Sequence, residues 1–323
     1  MSRSRLAVLS TFAVLTTASC AGDVIGDYPS PPTPAITAST TPETDDGILA
    51  EIAVDGSPCF VAEAGGHVWV TAFDGNELAE IDPRTNEVVE TYPMPEGPCG
   101  MVVEDGVLWV ESPNAGTVVL FDPERGREID RLRMPGGVFG LTSAPSGLWG
   151  LGGDGDQVVH IDPRTREVVG RVDAEEPLGG IAVDGAEIWA ILGRSRLVRI
   201  DPLTHTLGRG IEIESFEPEG LAIEGHTIWV SSSFAGEVVR VDLRTGKVRD
   251  RLPVDGSLFG GIVIGDSYWV SGNDGTVYRL DSDSGEVEDD FELVGFGPIP
   301  AAGNLWTVDF ISNTVYRLDE PAA

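Results

Sequence analysis

An all-β fold, a closed ring of seven four-stranded antiparallel blades, is what the sequence predicts, and three observations predict it. Tryptophan stands at Trp69, Trp109, Trp149, Trp189, Trp229, Trp269 and Trp306, all seven in the chain, at spacings of 40, 40, 40, 40, 40 and 37. Aspartate keeps the same beat at Asp82, Asp122, Asp162, Asp201, Asp242, Asp281 and Asp319. Between the columns lie short β-branched runs such as Thr117-Val118-Val119, set among 41 Gly and 22 Pro, a composition that suits strands and tight turns and not a helical solenoid. Two columns sharing one period of about 40 residues are the mark of propeller blades.

The elements of a unit read in order. An inner strand follows a Gly/Pro pair, as at Gly97-Pro98-Cys99-Gly100-Met101. An acidic Gly turn, Glu104-Asp105-Gly106, leads into the Trp strand Val107-Leu108-Trp109-Val110. A loop at Ser112–Gly116, a third strand at Thr117–Phe121, a turn at Asp122–Gly126 and an outer strand at Glu128–Met134 complete the blade. The Asp column starts Asp-Pro-x-Thr turns, at Asp82–Thr85, Asp162–Thr165 and Asp201–Thr204. There Asp accepts backbone N–H bonds and Pro presets φ, so these carboxylates are structural and not metal ligands. The Trp column fills the wedges between blades.

The chain ends predict how the ring closes. The last unit stops after its third strand, Asn313–Leu318, whereas an unpaired outer strand, residues 48–54, precedes the first inner strand. Pairing these two closes the circle and leaves no long free sheet edge. Residues 47–323 are therefore one domain, although length alone would allow two.

Ahead of the repeats, residues 1–19 read as an export signal: basic Arg3 and Arg5, an apolar stretch Leu6–Leu15 and a small-residue exit before Cys20. That stretch is too short to span a bilayer. Residues 20–46 carry Ser30-Pro31-Pro32-Thr33-Pro34 and further Ser/Thr/Pro, and are expected to be a disordered tether, because such a tract buries too little apolar area to offset its ordering entropy. The formal charge is −32, and removing Arg3 and Arg5 with the leader makes it −34. A surface with only one lysine, Lys247, repels phosphate backbones and argues against nucleic acid.

The units of acidic Gly turn, Trp strand and Ile-Asp-Pro-x-Thr, complete at Trp149 with Ile161–Thr165, resemble YVTN and NHL-type seven-bladed propellers, a group that includes virginiamycin B lyase-like proteins. The resemblance covers residues 47–323 and specifies blades; activity does not follow from fold. The leader resembles a bacterial lipoprotein signal in which Cys20 becomes the lipidated first residue, with Thr17 departing from the usual Leu and ordinary cleavage and secretion as the alternative. A lipidated Cys20 would anchor the protein on the outer surface of a membrane.

Propellers of this kind place ligands on the face carrying the outer-to-inner and second-to-third strand loops. Eight of the eleven Phe fall there or at the channel mouth: Phe60, Phe73, Phe139, Phe216, Phe234, Phe259, Phe296 and Phe310. They form either a contact surface or a plug that seals the channel. Ten residues before each Trp stand Cys59, Cys99, Phe139, Gly179, Glu219, Phe259 and Phe296. One acid in that ring, Glu219, is not a hard-cation cage. His67, His160, His205 and His226 fall on the opposite face, as surface or turn residues, whereas the resemblance implies a His/Glu/His set at the channel for lyase chemistry. No Cys-x-x-Cys-His accompanies them, so no cofactor is expected. Cys59 and Cys99 occupy the same place in adjacent units; a disulfide between blades 1 and 2 is predicted, two buried thiols being the alternative.

The function expected is that of a monomeric cell-surface binding or scaffold module whose contact residues are Phe73, Phe139, Phe216, Glu219, Phe234, Phe259 and Phe310, with a protein, peptide or small molecule as partner. The alternative is a lyase or lactonase-type enzyme with its site at the channel mouth.

Overall fold

Forty residues suffice for four short strands and their turns, and seven such units succeed one another. The computed structural model describes residues 47–321, apart from 154, 194, 216, 217, 273, 274, 294 and 295. All regular structure among the described residues is β-strand, in seven sheets with the order inner, Trp, third, outer. Blade 1, for example, is Pro58–Ala64, His67–Ala72, Glu77–Asp82 and Glu87–Pro93, antiparallel throughout.

The ring closes as the chain ends predict. Ile48–Ala53 pairs with Thr314–Pro321, in a register from Ile48↔Leu318 to Ala53↔Thr314. Asp319, the last of the Asp column, starts no turn because its blade takes its outer strand from the other end of the chain; its N–H donates instead to the Gly47 carbonyl at 2.7 Å.

The six other Asp shape turns. Asp162 Oδ1 accepts from the N–H of Arg164 and Thr165 at 2.8 and 3.2 Å, and Asp201 and Asp242 repeat the pattern. These donors favour the ionised carboxylate; Asp82, which also holds the Arg84 guanidinium, is lowered to about 2, chiefly by that side-chain bond.

The core is seven separate layers between neighbouring blades, with one Trp in each. Trp69 lies between blades 1 and 2, Trp149 between 3 and 4, and Trp306 between 7 and 1. Opposite each Trp on the third strand stands one of Glu80, Leu120, His160, Arg199, Arg240, Arg279 and Arg317. Three of these arginines lie over the ring they pair with: Arg240 over Trp229 at 5.0 Å, Arg279 over Trp269 at 5.6 Å and Arg317 over Trp306 at 5.5 Å.

Two of them then reach into the next blade. Arg240 donates to the carbonyls of Ser282 and Asp283 at 2.8 and 3.0 Å, and Arg317 crosses the seam to Asn86 Oδ1 at 3.0 Å.

Two departures from a uniform repeat have local causes. The outer strand of blade 4 is broken into Thr206–Leu207 and Ile211–Glu212, because Gly208 and Gly210 flank the gap and offer no side chain to pack. Six inner strands carry a bulge at one common place, such as Phe139/Thr142 and Pro218/Gly220. Glycine stands there, nine residues before the Trp, in every blade but the first. Gly140 needs it for φ of +62°, and a Cβ on Gly180 would lie 2.6 Å from the Glu219 carbonyl of the next blade.

Candidate functional site

Antiparallel order puts two kinds of connection on each face of the ring. On the loop face the connector entering a blade is bonded to the loop after its Trp strand: Phe73 N–H donates to Ser57 O at 2.9 Å and Gly193 N–H to Pro177 O at 2.7 Å. The opposite, turn face carries the Asp turns and the acidic Gly turns.

Of the Phe residues expected on the loop face, Phe73 and Phe310 come together, with ring centroids 5.9 Å apart and both partly exposed. They belong to the first and last blades and meet across the seam. Asp309 builds the loop that presents Phe310: its Oδ1 accepts from the N–H of Ile311 and Ser312 at 2.8 and 3.0 Å. Asn313 ties that loop to blade 1 by accepting from Ser57 N–H at 2.7 Å, in a left-handed conformation (φ +59°) that Asn tolerates. Ile311, beside Phe310, is 84% exposed and was not singled out by the sequence, because a lone Ile in a turn carries no periodic signal.

The other expected contact residues belong to blades 3, 5 and 6. Phe234 is 70% exposed on blade 5. Phe139 is partly buried in the inner strand of blade 3. Phe259 is only 6% exposed and belongs to the interior more than to the surface. Glu219 is partly buried and accepts from Ser233 Oγ at 3.1 Å. Phe216 lies outside the described residues, as do Cys20, the leader 1–19 and the tether 20–46.

A cavity of about 220 Å³ lies against the inner strands of blades 3 to 6. Its walls include Ile181, Val183, Leu221, Ile223 and Ile262, with Thr142 the one polar side chain, so it offers shape and apolar surface but no acid or base. Among the described residues no group of three His, Cys, Asp or Glu is placed to hold a metal ion.

Cys59 and Cys99 form the disulfide predicted between blades 1 and 2, with Cα atoms 5.1 Å apart. Beside it lies a carboxyl that the repeat pattern did not reveal. Glu111, two residues after Trp109, is wholly buried and accepts from Gly140 N–H at 3.2 Å and from Leu141 N–H, both at the bulge of the next blade. Burial outweighs these two donors and pushes the carboxyl up to about 7.

The histidines stand at the turn face, and one expectation about them needs correction: His160 is not a surface residue. It is buried and stacked on Trp149 with centroids 4.0 Å apart. Its Nε2–H donates to Ser146 O at 2.7 Å, and its Nδ1 faces His205 Nε2 of blade 4 at 2.9 Å. Gly170, across from His160, leaves the space that the His205 ring fills. Burial first, and the neighbouring His205 in lesser measure, lower the pKa of His160. His67 contacts Glu80, which also accepts from Tyr92 Oη at 2.8 Å. These groups serve blade contacts and lie away from the loop face.

No family model matches the chain, and no curated protein matches its sequence. Among solved structures it is similar to a streptogramin B lyase structure, with a TM-score of 0.69 and 14% identity over 85% of this chain and 96% of that one. It is also similar to Kuenenia stuttgartiensis hydrazine synthase, with a TM-score of 0.68 and 17% identity over 90% of this chain and 100% of that one. At such identities the likeness is one of fold, and the fold is a seven-bladed propeller.

Proposed function

We propose that the chain is an exported propeller that works by capture and not by catalysis, held at a membrane surface through a lipidated Cys20 and the tether 20–46. The partner is a protein or peptide with an apolar patch, which docks on the loop face at the seam between the first and last blades. The observation that carries this reading is the cluster of Phe73, Phe310 and the 84%-exposed Ile311, presented by loops that Asp309 and Asn313 hold in place. Exposed apolar side chains grouped on one face, on a chain with 53 acidic residues, mark a contact surface in preference to a solubility device. Lyase or lactonase chemistry has less to work with, since all four histidines belong to the turn face and the cavity against the inner strands of blades 3 to 6 has Thr142 as its one polar side chain.

Cross-linking the full-length protein in intact membranes tests the reading. Phe73→Ala with Ile311→Ser should abolish the cross-linked species, whereas Glu219→Ala should leave it intact. Cys20→Ser should move the protein from the membrane pellet to the medium. Undiminished capture by the Phe73/Ile311 variant would overturn the contact surface, and a Cys20→Ser protein still in the pellet would overturn the anchor.

A further inference from the structure

The repeat supplies its own comparison for a cleft on blade 2. In blades 3 and 5 the first residue of the third strand satisfies an outer-strand arginine fourteen positions later. Gln157 Oε1 accepts from Arg171 at 2.7 Å, and Glu237 Oε1 accepts from Arg251 at 2.7 Å. The corresponding residues of blade 2 are Thr117 and Arg131, and Thr117 is too short to make the bond. Its Oγ1 is buried without a hydrogen-bond partner, and Arg131 turns back to Glu128, at 3.0 Å between Nε and Oε1.

Arg133, cross-strand from Thr117, is exposed and has no hydrogen bond or ion pair among the described residues. Where a longer side chain would stand there is a cleft of about 690 Å³. Its walls hold Arg131, Arg133, Asn114 and Thr117 and no acidic residue, in a chain where acids outnumber Lys and Arg by 53 to 21.

We propose that this cleft binds a small di- or tricarboxylic acid. Its chemistry is the one that the sibling blades supply internally, an oxygen of a carboxylate or amide set against a guanidinium. An arginine fork takes a carboxylate through two parallel N–H bonds, and Arg133 is the guanidinium available for that. A second carboxylate has Arg131 beside it, partly neutralised by Glu128. Lysine would offer a point charge without the fork. The site lies at the rim of the loop face and does not depend on what docks at the seam between blades 1 and 7.

Calorimetric titration of the full chain with citrate, and with its trimethyl ester, tests the proposal. Citrate should bind saturably with one site per chain, and the ester should not bind. Arg133→Met should weaken citrate at least tenfold. Thr117→Gln, which restores the blade 3 pairing with Arg131 and so takes that guanidinium from the ligand, should weaken binding. Arg127→Met, an exposed arginine on the same strand outside the cleft, should leave it unchanged. Thermal midpoints within a degree or two of the parent would establish that the variants fold. No saturable citrate binding up to millimolar concentration overturns the proposal, as does equal binding of the ester, an unchanged affinity in folded Arg133→Met, or an equal loss in Arg127→Met.

Discussion

Replacing Glu111 by Gln should make stability depend less on pH, the variant gaining on the parent as pH rises. The side chain stands between blades 2 and 3, wholly buried, with the bulge N–H groups of Gly140 and Leu141 on its oxygens. Two opposing effects act on its charge: the donors favour the carboxylate, and burial favours the neutral acid. Burial is the larger, and the carboxyl is pushed from 4.5 to about 7.

The folded protein therefore keeps a proton that the unfolded chain releases between those two values. Below the unfolded pKa both states are protonated and Glu111 costs nothing. As pH rises through the window stability is lost, and above the folded pKa the full cost of roughly 3 kcal/mol applies. Gln cannot ionise, but its amide nitrogen cannot accept, so one of the two bulge N–H groups loses its acceptor at every pH, a fixed cost of about 1 to 3 kcal/mol. Relative to the parent the variant should therefore gain roughly 3 kcal/mol between acid and pH 8.5, starting from that deficit. Scanning calorimetry of both proteins across that range would read this as a midpoint difference that moves by several degrees in the variant's favour from the acid to the alkaline end. Subtracting the two curves removes the repulsion among the other carboxylates, which both proteins share. A difference between the two proteins that does not move in the variant's favour as pH rises would refute the balance argued here.

Two further perturbations test what joins the blades. Arg240 is 1% exposed, bonded to both oxygens of Asp250 at 2.6 and 2.7 Å and to carbonyls of the next blade. Arg240→Met should cost about 2 kcal/mol in denaturant unfolding, because the Ser282 and Asp283 carbonyls lose their donor, whereas Asp250 is a third exposed and keeps Arg249 at 3.7 Å; a loss under about 1 kcal/mol would show these bonds to be dispensable. The Cys59–Cys99 bond closes a separation of 40 residues, for which chain entropy predicts about 4 kcal/mol. The Cys59→Ser/Cys99→Ser protein should unfold at lower denaturant than the oxidised parent and match the reduced parent, and coincident oxidised and reduced curves would count against any such contribution.

The architecture was legible because every blade solves the same packing problem. Each wedge needs one large ring, each Asp turn one short acceptor, and the chain ends complement one another, so Trp306 and the strand at residues 48–54 could be placed without coordinates. The Cys59–Cys99 bridge was legible for the same reason, since equal positions in adjacent blades are adjacent in space. Features that depend on one blade differing from another were not. The Gly column nine residues before each Trp is plain in the sequence, yet its meaning, a bulge where inner strands crowd the axis, appears only when Gly180 is seen against Glu219 of the next blade.

His160 illustrates the limit from the other side: a strand-end histidine reads as exposed until Gly170 and His205 are known to close over it. Position in the repeat thus determined the fold class, the ring closure, the core Trp and the disulfide, because those follow from a period that one strand can state by itself. Only the tertiary structure decided which Phe residues meet, which carboxyl is buried and which arginine is left beside a cleft. Each of those depends on side chains roughly forty residues apart being brought within a few ångströms, and no local pattern along one strand carries that information.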